Sequence, residues 1–110
     1  MQETADALKP IFSLISKCEK AIQKVAPGTW QHSMLETNLK ALHIAHALMK
    51  EGPRITARFT QNELDDARLS MASMIAKTVE AQAKFASGTS QHTLLRNRLS
   101  ALKVALALIN

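Results

Sequence analysis

The sequence predicts an all-α protein, an antiparallel four-helix bundle built from two tandem, sequence-related helical hairpins. Three observations lead there. The 110 residues include only 3 Gly and 3 Pro, too few for a turn-rich β chain. Apolar residues recur at alternating steps of three and four over long stretches, the spacing of a helix face. Finally, the chain repeats itself at an offset of sixty. Residues 4–50 laid over 64–110 give nineteen identities in forty-seven pairs, among them Asp6/Asp66, Ile15/Ile75, Gly28/Gly88, Gln31/Gln91, Leu42/Leu102 and Leu48/Leu108. Two copies form a pair, since a solenoid needs at least three.

The first helix is read from Ala7, Ile11, Leu14, Cys18, Ala21 and Val25, a seam of heptad type. Its start is open, because Pro10 fits either a first turn or a kink after a short helix begun near Thr4. Gly28 is placed at the left-handed position that ends this helix, with Thr29 capping the next. So short a turn makes the two helices antiparallel. The second helix carries Leu35, Leu39, Leu42, His46 and Met49 on its seam, with Met34, Ala41, Ile44, Ala45 and Leu48 as a second stripe. Gly52-Pro53 breaks it, since proline lacks an N–H and disfavours helix in the residue before it.

A linker of about residues 51–58 leads to Phe59, Thr60, Glu63 and Leu64, the pattern of a hydrophobic staple with a capping box. The third helix repeats the first as Ala67, Met71, Met74, Thr78, Ala81 and Phe85, and Gly88-Thr89 repeats the turn. Leu95, Leu99, Leu102, Leu106 and Ile109 form the seam of the fourth, with Leu94, Ala101, Val104, Ala105 and Leu108 beside it. Residues 1–110 are thus one domain, with hairpins at about 4–50 and 59–110. Four helices of about 20 residues predict at least ~70 % helix, well above the third typical of globular chains.

The repeated string G-T-x-Q-H-[ST]-[ML]-L followed by L-x-A-L resembles short uncharacterised bacterial proteins built from duplicated helical hairpins. The resemblance covers most of the chain and implies a bundle. It brings no activity, cofactor or functional residue with it.

Candidate chemistry is thin. His32, Glu36 and His43 fall on adjoining helical faces, a superficially metal-like set. The second unit puts Arg96 and Lys103 at the positions of Glu36 and His43, so no metal or cofactor is expected. Cys18 aligns with Thr78 on the inner seam and reads as a small buried hydrophobe. No histidine is expected beside it, and Asp65 and Asp66 suit the positive end of a helix better than an acid/base pair. No phosphate loop or metalloprotease motif is present, and an enzyme is not expected. Gln31-His32 and Gln91-His92 are read as capping partners that reach back to free backbone groups.

The reading that remains is an interaction protein that forms a homodimer. From Ala101 to Ile109 only Lys103 is polar, so the fourth helix is apolar nearly all round and needs more than one partner. Ala101, Ala105 and Leu108 on that helix are the expected contact residues, with Trp30 as an aromatic contact in the first turn of the second helix. Pairing is therefore expected through the second and fourth helices. The alternative is a basic nucleic-acid-binding protein. The net charge is +5, and Arg54, Arg58, Arg96, Arg98 and Lys103 would form its phosphate footprint. Nothing long and apolar enough to span a membrane is seen. The opening Met1-Gln2-Glu3 lacks the pattern of a secretory leader, and the one cysteine suits a reducing compartment, so a cytoplasmic protein is expected.

Overall fold

The computed structural model describes the backbone of residues 2–110 and the side chains of residues 6–110 other than residue 53. It is 83 % helical. Four α-helices follow in order: α1 Gln2–Ile22, α2 Trp30–Glu51, α3 Gln61–Gln82 and α4 Ser90–Ile109, with a 3₁₀ segment, Pro53–Arg58, between α2 and α3. Each hairpin packs within itself, α1 on α2 and α3 on α4. The hairpins then meet through α1 on α4 and α2 on α3. Exchanging the hairpins exchanges these two pairings. Lys77 near the end of α3 donates through Nζ to Sδ of Met34 near the start of α2 at 3.4 Å, which fixes α2 and α3 as antiparallel and brings both hairpin turns to one end.

The Cα trace measures 41 × 39 × 19 Å. Near-parallel helices of about 30 Å, spaced 8–10 Å apart, could supply only one extent above 30 Å. Two such extents mean that the helices cross obliquely, giving a flattened bundle two helices thick. α2 and α4 also touch each other across the middle. Small side chains permit this: Ala41 and Ala45 on α2, and Ala101 and Ala105 on α4, are all fully buried. Around them Ile11, Leu42, Leu48, Met71 and Leu102 are completely enclosed, each worth about 1.5–3 kcal/mol of burial.

The local devices follow from the residues, with three departures from expectation. First, α1 starts at Gln2 and carries Pro10 inside it, so a start just before Pro10 is wrong and the early start, expected near Thr4, is the one found. Second, α1 and α3 stop at Ile22 and Gln82, short of Val25 and Phe85. Gly28 and Gly88 therefore do not close those helices. Each is the third residue of a β-turn, Ala26-Pro27-Gly28-Thr29 and Ala86-Ser87-Gly88-Thr89, in which the threonine N–H donates to the alanine carbonyl at 3.3 Å. Their φ values of 89° and 90° are what the third position of a type II turn requires. The threonine then caps the next helix: its Oγ1 accepts from the N–H of His32 or His92 at 3.2 Å and donates to the alanine carbonyl at 2.8 Å.

Third, neither Gln31-His32 nor Gln91-His92 reaches back to cap. The threonine N–H that such a side chain would need is already taken by the turn. By contrast the start of α3 is as expected, with Glu63 N–H donating to Thr60 Oγ1 at 3.1 Å and Thr60 N–H donating to Glu63 Oε1 at 2.9 Å. Leu64 is buried, and Phe59 packs half-buried against the core.

Candidate interaction surface

The structure redistributes the expected contact residues. Ala101 and Ala105 are 1 % and 0 % exposed, so both are buried within the monomer's own core. Leu108 is half-buried against the core. The apolar run of α4 is largely covered within the monomer because α4 touches α1, α2 and α3 together. Trp30 is different. It is 70 % exposed at the end where the two turns lie.

The basic residues do not converge. Arg96 and Lys103 are seven apart and share one exposed face of α4, whereas Arg98 lies about 200° round the helix from Arg96. Arg98 is half-buried on the inward side and lines a groove against α1. On the connecting segment Arg54 is exposed, while Arg58 is paired with Glu51 at 3.2 Å. On α4, then, Arg96 and Lys103 share one face while Arg98 lies on another.

Two grooves run between the hairpins, and the repeat relates them. The one between α2 and α3 is a dimple of about 170 Å³ lined by Thr37, Lys40, Ala41, Ile44, Asp66 and Ala67, with Glu63 at its edge. An ion pair of 3.5 Å between Lys40 and Glu63 spans it. Its counterpart between α1 and α4 is about 730 Å³ and includes Asp6, Ala7, Asn97, Ser100, Ala101 and Val104, the residues sixty positions away. Serine at position 100 cannot bridge as Lys40 does. Pro10, on the wall of the larger groove, stands where the other copy has the buried Ser70, and a proline within a helix both removes a backbone hydrogen bond and bends the helix there. The larger groove mixes charged, short polar and apolar side chains, with Lys9, Ser13, Leu94 and Arg98 also on its walls.

Among the described residues, no group of three or more His, Cys, Asp or Glu is placed to hold a metal ion. Cys18 is half-buried, and burial pushes its thiol above the usual value although Lys17 and Arg98 oppose this. That is the reverse of an activated cysteine. His46 sits half-buried with its ring 6.2 Å from that of Phe12. Burial, and then the charges of Lys50 and His43, hold its pKa below the ordinary histidine value. No described helix is long and apolar enough to cross a membrane.

The surface feature that the sequence reading passed over is apolar. Phe12, Leu69, Val79, Phe85 and Leu94 are exposed along with Trp30. For three of these six, comparison of the two copies supplies the signal. Leu69 stands opposite Lys9, Val79 opposite Glu19 and Trp30 opposite Ser90. A position that accepts a charge or hydroxyl in one copy of a fold points to solvent in the other. No protein family, curated protein or solved structure matches this chain.

Proposed function

We propose that the chain is a non-catalytic helical-bundle interaction protein that associates with a second copy of itself. The observation that carries this reading is the outward placement of Trp30, Leu69 and Val79 at positions where the sister copy has polar residues. The core is already closed without them, so their apolar surface adds nothing to the monomer and favours a partner. Burial pushes the Cys18 thiol above its usual value, which accords with a binding role rather than with thiol chemistry.

Sedimentation velocity across a concentration series, with light scattering for absolute mass, tests the proposal. The expected outcome is a dimer whose fraction rises with concentration and survives 1 M salt, because apolar contacts are not screened. A monomer at every concentration into the high micromolar range would exclude it. Loss of the dimer in high salt would instead point to the charged faces.

A further inference from the structure

We infer that the second copy docks on the outer face of α3, as an antiparallel helix pair centred on Ala76. Leu69, Ala72, Ala76, Val79 and Ala83 are all exposed, and their spacing of three, four, three and four is that of a coiled-coil seam. At 100° per residue they lie within about 80° of one another, while the buried Leu64, Ala67, Met71 and Thr78 lie on the opposite side of the helix. α3 is therefore apolar on two faces, of which the bundle covers one. The matching residues of α1 are Lys9, Phe12, Ser16, Glu19 and Gln23, so this outward seam belongs to α3 alone. One seam per chain on a self-complementary patch closes at two copies.

The order of residues along the seam fits a copy of itself running the opposite way. With the two-fold axis beside Ala76, Leu69 comes level with the second copy's Ala83, Ala72 comes within one residue of level with Val79, and Ala76 meets its own equivalent. Every large side chain faces a small one, giving an even, close approach over about 21 Å of helix. On the flanks Arg68 comes nearest Gln82 and Ser73 nearest Glu80, while Lys84, which is level with Arg68, lies about 160° away round the helix. A parallel pair would instead oppose Leu69 to Leu69 and Ala72 to Ala72, leaving bulges and gaps.

The chain exposes 6933 Å², against about 6,000 Å² for an average monomer of its mass, a surplus in the direction expected of a flattened subunit that buries a face against a partner.

This assignment rests on the self-association proposed above, and the experiment separates the two. Leu69→Glu and Val79→Glu are both at exposed positions, so circular dichroism, and melting at a dilution where the unaltered protein is monomeric, should match the unaltered protein. Each should raise the dimer dissociation constant by about 100-fold or more, since a carboxylate would be buried unpaired in the seam. If the unaltered protein dimerises and both variants dimerise equally well, α3 is not the interface although self-association stands. If the unaltered protein is a monomer, both readings fall. Orientation is read by cross-linking in a Cys18→Ser background. Ala72→Cys mixed with Val79→Cys should form a disulfide between unlike chains on mild oxidation, and neither should link to itself. Self-linking of each variant, without the mixed product, would overturn the antiparallel register.

Discussion

At the scale of single residues, Gly88 and His46 each hold a measurable share of stability for a different physical reason. Gly88 takes φ 90°, yet no heavy atom lies within 4 Å of where its Cβ would be. The cost of a side chain there is thus purely conformational. Gly88→Ala should destabilise by about 1 kcal/mol in chemical denaturation. A D-alanine at the same position, made by ligation, should restore or exceed the original stability, since it favours positive φ and restricts the unfolded chain. Equal effects of the two enantiomers would refute the turn geometry. His46 works through protonation. Its folded pKa lies below the ordinary value, so the unfolded chain binds the proton more readily. Its stabilising contribution is complete above the unfolded pKa and is lost as pH falls from there toward the lower, folded value. Thermal midpoints between pH 7.5 and 5 should therefore fall less steeply for His46→Gln than for the unaltered protein.

At the scale of the helices, the alanines of α2 and α4 set how closely the two hairpins approach. Ala105 is wholly enclosed, so Ala105→Leu should cost about 1–3 kcal/mol by overpacking, and Ala105→Glu should unfold the chain rather than merely separate a dimer. Denaturant titration followed by circular dichroism decides this; an Ala105→Glu variant that stays folded and becomes monomeric would return the interface to α4. The helices themselves were legible in the sequence because a period near 3.6 is local information, and the capping box at Thr60 and Glu63 was legible because its residues are fixed by backbone geometry. Which of two stripes lies deeper was not. On α2 and α4 side-chain hydrophobicity favours the leucine stripe as the seam, yet Ala41, Ala45, Ala101 and Ala105 of the other stripe are as deeply buried as Leu42 and Leu102, while Leu99 and Leu106 are only half-buried. The outer seam of α3 was missed because a helix with two opposed apolar faces has no single clear direction. The turns were legible as turns, but each helix ends well before its glycine, at Ile22 and Gln82, and the second copy does so with Ser87 in place of Pro27, so the glycine belongs to the turn and not to the helix terminus.

For the whole molecule, duplication carries a consequence that follows from how the hairpins are joined. The surfaces that unite them, α1 with α4 and α2 with α3, are contacts between one hairpin and the other, connected in the chain only through Gly52 and the short segment Pro53–Arg58. Nothing in those surfaces records whether the two hairpins belong to the same polypeptide. The closed monomer is favoured because the tether holds its halves at a high effective concentration. Were the reversal at Gly52 to straighten, the second hairpin of one chain would dock on the first hairpin of another and reproduce every interhelical contact twice over. Such an exchanged pair differs from the α3-to-α3 dimer in kind, because it separates only by unfolding. The tight connection at Gly52 thus acts as the arbiter between a reversible complex of folded subunits and an interlocked one.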